Sequence, residues 1–150
     1  MAAFARLIAG GFGAGLVPKA PGTAGALLAV AAGALLLAWS PAALPVAAIL
    51  AAGIGVWAVA AAGLQGDPGW VVIDEVAGQF VAMLPLSRPA WPGLLLAFSL
   101  FRLFDIAKPG PVGWVDRRHG AWAVMADDLV AGALAAAVLW LVVQALRLRH

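Results

Sequence analysis

Charged residues are scarce along this chain and unevenly placed, so the apolar runs between them mark out its elements. Residues 24–39 are uncharged and end at Ser40-Pro41. Residues 42–64 form a second uncharged run, long enough to cross about 30 Å of hydrocarbon as a helix. The short link predicts that these two helices form an antiparallel hairpin. Residues 71–86 are apolar apart from Asp74, Glu75 and Gln79. Residues 91–108 are apolar apart from Arg102, Asp105 and Lys108, and Pro109 with Pro111 stops that run. Residues 121–146 hold Asp127 and Asp128 near their start and are then cleanly apolar. No segment alternates with period two over a strand length, which argues against a β-barrel. The pattern predicts an all-α, polytopic membrane helical bundle of four to five membrane segments, one domain over residues 1–150. Residues 1–16 carry one cation, Arg6, and no convincing cleavage site, and read as retained sequence rather than a signal peptide.

Composition strengthens the membrane reading. Hydrophobic residues make up 65% of the chain and charged residues 11%, with a mean hydropathy of +1.02. A soluble domain would carry about 25% charged residues, so lipid must supply much of the solvent here. The net charge of +2 is too small to argue for a nucleic-acid partner, and nothing points to an obligate protein partner. The absence of cysteine excludes disulfides, thiolate metal sites and a cysteine nucleophile. Gly11-Phe12-Gly13-Ala14-Gly15 is no dinucleotide fingerprint, because no strand precedes it and no acidic residue follows at the required distance.

Charge also gives a sidedness. With Lys19 cytoplasmic, the hairpin crosses and returns, the third segment exits near Arg88, and the fourth comes back to Lys108. The following loop, with Lys108, Arg117 and Arg118, then satisfies the positive-inside tendency. Trp70, Trp114 and Trp122 would line that interface, and Trp39, Trp91 and Trp140 the other. Arg147 and Arg149 fall on the opposite side. With Arg6 and Arg88 they read as interfacial anchors. Asp74, Glu75, Asp105, Asp127 and Asp128 all come to the cytoplasmic face.

A carboxylate at the bilayer centre costs roughly 2.5–3.5 kcal/mol on insertion scales, so five in three segments call for a purpose. Gly78 follows Asp74 by one helical turn and Gly132 follows Asp128 likewise, each clearing space beside a carboxylate. Arg102, Asp105 and Lys108 recur every three residues and share a broad face. An oxygen-rich cluster without thiolates suits a hard cation such as Mg²⁺, and the nearby cations suit phosphate. A purely structural ion-pair network would account for Arg102 with Asp105. It fails for the whole set, because two adjacent acidic pairs outnumber the cations buried with them. In Pro18-Lys19-Ala20-Pro21-Gly22-Thr23, Thr23 can cap the first spanning helix, and a helix N-terminus beside a lysine is a natural phosphate site. An ordinary cap with a snorkelling lysine explains that loop equally well. His119 could protonate a leaving group, although a solvated loop histidine is the commoner case. Asp67 in Gly66-Asp67-Pro68-Gly69 reads as a turn residue, and His150 has no assigned role.

Four linked motifs carry a resemblance across nearly the whole chain. They are Gly11-Phe12-Gly13-Ala14-Gly15-Leu16 with Pro18-Lys19-Ala20-Pro21-Gly22-Thr23-Ala24-Gly25; Val72-Ile73-Asp74-Glu75-Val76-Ala77-Gly78; Phe101-Arg102-Leu103-Phe104-Asp105-Ile106-Ala107-Lys108-Pro109; and Asp127-Asp128-Leu129-Val130-Ala131-Gly132. In order and spacing the sequence resembles the phosphatidylglycerophosphatase A family, with Ala26 where that family usually has serine. The resemblance implies an all-helical, Mg²⁺-dependent phosphatase of the bacterial inner membrane. It would act from the cytoplasmic leaflet on phosphatidylglycerophosphate, leaving phosphatidylglycerol.

The chemistry expected is metal-assisted attack of water, since the chain has neither a cysteine nor an Asp-x-Asp motif for a phospho-enzyme. Asp74, Glu75, Asp105, Asp127 and Asp128 would hold one or two Mg²⁺ ions, with Asp74, Glu75, Asp105 and Asp128 closest to the chemistry. Lys19, Thr23, Arg102 and Lys108 would bind the substrate phosphate. Two other activities compete: a cation-coupled transporter, and a phosphatase of the same family acting on another lipid phosphate such as phosphatidate. A phospholipid-alcohol transferase is disfavoured because its Asp-Gly-x-x-Ala-Arg run is absent.

Overall fold

A computed structural model describes residues 1–64, 68–118 and 120–148; among these the secondary structure is helical, with no strand. The elements are α1 (Ala2–Ala9), a tight Gly11–Leu16 turn, α2 (Pro21–Trp39), α3 (Ala43–Ala61), α4 (Ile73–Ala82), α5 (Trp91–Ala107), α6 (Pro111–Asp116) and α7 (Ala121–Arg147). Proline in the first turn starts α2, α5 and α6, where its missing N–H costs nothing.

Among the described residues three helices, α2, α3 and α7, are long and apolar enough to cross a membrane. The expected four to five segments are therefore approximate. The third apolar run yields a helix of only 10 residues, about 15 Å long, and the fourth a helix of 17 residues, about 25 Å long. Helix α4 is instead the hub of the bundle, with α2, α3, α5 and α7 packed around it. Its apolar residues are sheltered by protein: Ile73, Val76, Ala77, Phe80 and Ala82 are all buried. The outward faces of the long helices remain apolar, with Leu27, Leu35, Ile49, Leu50, Trp140 and Leu141 exposed, as a lipid-facing surface requires.

Small residues set the helix spacing. Gly78 of α4 and Gly132 of α7 meet backbone to backbone, and a Cβ on Gly132 would overlap the Gly78 carbonyl. Gly25 and Gly33 of α2 make room for Val72 and Met83, and Gly55 of α3 for Met125. Consequently α2 and α3, though joined by a short turn, pack more on α4 than on each other. At the N-terminus α1 lies against α3, where Phe4 and Trp57 meet edge-on at 6.5 Å. The following turn bends through left-handed backbone at Gly11 and Phe12. Val72 then donates a backbone hydrogen bond to Ala9 (2.9 Å), which fixes the strand of chain entering α4.

Candidate active site

The packing gathers the first turns of α2 and α4, the last two turns of α5 and the second turn of α7 at one end of the bundle. Asp74 and Glu75 open α4, and the Glu75 N–H donates to Asp74 Oδ1 at 3.0 Å. Asp128 comes from α7, brought close by the Gly78–Gly132 crossing one turn away. One carboxylate oxygen from each of Asp74, Glu75 and Asp128 lies within 4.8 Å of the other two. Asp74 and Asp128 are almost entirely buried, each 4% exposed. Asp105 stands beside this trio, near enough for its charge to act on Glu75 and Asp128, and it forms an ion pair with Arg102.

Helix α2 meets this group through Gly22. A Cβ there would overlap Glu75 Oε1 and come within 3.2 Å of Arg102 Nη1. Glycine lets the α2 N-terminus approach the carboxylate and the guanidinium this closely, since a side chain there would have to displace the Glu75 carboxylate. Thr23 is half-buried in the first turn of α2, but it does not cap that helix as the sequence suggested. The helix begins at Pro21 with Ala20 at the cap position, so Thr23 lies one turn too far in. Lys19, in left-handed backbone, is exposed just ahead of α2 and makes no ion pair among the described residues.

Lys108 and Asp127 were expected at the phosphate and the metal, and the structure brings them to each other. Lys108 Nζ donates to Asp127 Oδ2 at 2.8 Å and also pairs with Asp116 of α6. Adjacent residues on a helix point about 100° apart, so Asp127 faces this lysine while Asp128 faces Asp74 and Glu75. The bridge ties the left-handed end of α5 to α6 and α7. The sequence gives no sign of the Lys108–Asp116 pair, because the two residues are eight apart, one at the end of α5 and the other at the end of α6. His119, Asp67, Arg149 and His150 lie outside the described residues.

Burial leaves several polar atoms without partners among the described residues: Glu75 Oε2, Arg102 Nε, Asp127 Oδ1, and both side-chain polar atoms of Gln79. Each such group costs about 1–3 kcal/mol when nothing replaces its water. Carboxylates crowded in a poorly hydrated site repel one another unless a cation or proton intervenes. An all-oxygen set with an unpartnered Glu75 oxygen fits a small hard divalent cation, and Arg102 beside it fits an anionic substrate.

The family profile described as Phosphatidylglycerophosphatase A matches residues 7–143. The chain belongs to the phosphatidylglycerophosphatase A family. Phosphatidylglycerophosphatase A of Escherichia coli (strain K12) is 35% identical over 141 residues, covering 91% of this chain and 82% of that protein. The Haemophilus influenzae protein of the same name is 33% identical over 141 residues, covering 90% and 86%. A putative phosphatidylinositol-3-phosphatase of Bacteroides thetaiotaomicron is 43% identical over 141 residues, covering 84% and 85%. No solved structure matches. The four motifs that carry the resemblance to the phosphatidylglycerophosphatase A family are the ones that supply Gly22, Asp74, Glu75, Arg102, Asp105 and Asp128 to a single site.

Proposed function

We propose that this protein is a Mg²⁺-dependent phosphatidylglycerophosphatase that removes the terminal phosphate monoester of phosphatidylglycerophosphate and releases phosphatidylglycerol. The observation that carries this reading is the convergence of Asp74, Glu75 and Asp128, with the Arg102–Asp105 pair and the α2 N-terminus alongside, in a chain of this family.

Asp74, Glu75 and Asp128 would hold the metal, which when bound polarises a phosphoryl group and makes a water more acidic. Arg102 faces the anionic phosphate and offsets charge that shifts onto its oxygens in the transition state. The N–H groups of Gly22 and Thr23, without acceptors inside the helix, orient the same phosphate. Asp105, held by Arg102 at the edge of the trio, takes the proton of the attacking water and returns a proton to the head-group oxygen as its bond to phosphorus breaks, so that the alcohol and phosphate leave. Lys108 and Asp127 act by fixing the end of α5, so that Asp105 and Arg102 keep their places, and exposed Lys19 draws the anionic head group in.

Lys19, Lys108, Arg117 and Arg118 cluster along the chain segments at the site's end of the bundle, which supports a cytoplasmic orientation in the bacterial inner membrane. Purified protein in detergent should release phosphate from phosphatidylglycerophosphate much faster than from phosphatidate. The Bacteroides relative supports a second reading, in which the lipid is a phosphoinositide. Faster release from phosphatidylinositol 3-phosphate would favour it, and release from none of these lipids would refute both.

A further inference from the structure

Gln79 is buried at the centre of α4 with 0% exposure, and neither its amide nitrogen nor its amide oxygen has a partner among the described residues. It is one turn beyond Glu75 on the same side of the helix. Its flanking positions show where that side faces. Glu75 meets Gly22 of α2 and Arg102 of α5, and Ala82 packs in a cluster with Ala26 of α2 and Phe101 of α5. Gln79 therefore lies on the side of α4 that faces α2 and α5, one turn beyond Glu75. An unpaired carboxamide is a poor choice for a core position, where leucine or methionine would pack without loss. It offers a donor and an acceptor without charge, and a hydroxyl group, itself both donor and acceptor, can satisfy the two together.

We propose that Gln79 determines specificity by hydrogen-bonding a head-group hydroxyl on the carbon next to the phosphate-bearing carbon. The preferred substrates are then phosphate monoesters on polyol head groups, whereas phosphatidate, which has no free hydroxyl there, is a poor substrate. Gln79 follows Glu75 by four residues, a rise of about 6 Å along α4, so the two side chains can reach neighbouring groups of one head group. This inference rests on the lipid-phosphatase reading above.

The test compares phosphatidylglycerophosphate with its deoxy analogue lacking the head-group hydroxyl, in mixed micelles with Mg²⁺ present. A site that hydrogen-bonds a substrate hydroxyl rejects the analogue lacking it. The unaltered protein should prefer the hydroxyl-bearing lipid by at least about tenfold in kcat/KM, and Gln79→Met and Gln79→Leu should bring that ratio close to one. The same collapse with phosphatidylinositol 3-phosphate as the hydroxyl-bearing lipid would support the same contact on a different polyol. No preference in the unaltered protein, or a parallel fall for both lipids in the variants, would overturn the inference. Turnover of neither lipid by the unaltered protein would refute the phosphatase reading, and the inference with it.

Discussion

Glu75 of α4 packs its carboxylate directly against the backbone of Gly22 in α2, and Arg102 of α5 closes on the same spot. Three helices thus meet at one acidic side chain with no room for an additional carbon. Gly22→Ala should displace Glu75 or push α2 away, and small displacements of catalytic groups are costly to rate. We expect kcat/KM to fall at least about tenfold while the helix content by circular dichroism is kept. Activity within twofold of the original would show that the α2 N-terminus does not belong to the site.

The α4–α7 crossing is a matter of stability first. Gly132→Ala sets a Cβ against the Gly78 carbonyl, backbone against backbone, where neither side can yield by a rotamer change. Overpacking of this kind costs about 1–3 kcal/mol. A clear drop in Tm, measured by thermal unfolding in detergent, is expected, and an unchanged Tm would contradict the close approach.

The two adjacent aspartates of α7 should separate in their effects. Asp128→Asn removes a member of the carboxylate trio and should cut turnover by about a hundredfold or more, the scale of losing one charge-stabilising group. Asp127→Asn loosens the Lys108 bridge and should cost less. Because Lys108 and Asp127 act as one unit, Lys108→Met combined with Asp127→Asn should do little more harm than the worse single change. Additive losses in that double-mutant cycle would mean that the two residues serve separate purposes.

Arg88 and Arg147 lie around a cavity of about 360 Å³ with Pro85, Leu86 and Leu146, in the loop before α5 and the last turn of α7. Neither touches the carboxylate group. Arg88→Ala and Arg147→Ala should therefore leave phosphate release within about twofold, as expected for surface positions. A tenfold loss at either would imply a second functional region.

Much of this was legible in the sequence because charge is expensive in lipid. The five carboxylates stood out, and Asp74, Glu75 and Asp128 meet as their placement on one face required. Helices α2 and α3 were equally plain, being long runs without charge, and α7 showed itself by the apolar run that follows Asp128. What the sequence hid was the nature of the neighbours. Residues 71–86 are apolar whether lipid or protein surrounds them, so the short central α4 looked like a spanning segment. Asp127 and Asp128 are identical in kind, and only the helix rotation assigns one to Lys108 and the other to the trio. Thr23 looked like a cap because it precedes an apolar run, yet Pro21 starts the helix earlier. Gln79 was visible as a polar residue in an apolar run, but its lack of partners is a property of packing alone.

The proposed role of Asp74, Glu75 and Asp128 in holding a divalent cation on which hydrolysis depends is tested most directly by phosphate release from phosphatidylglycerophosphate with Mg²⁺, after chelation with EDTA, and after Mg²⁺ is restored. Activity should disappear on chelation and return with Mg²⁺, and Asp128→Asn should not recover. Full turnover in EDTA would contradict the account.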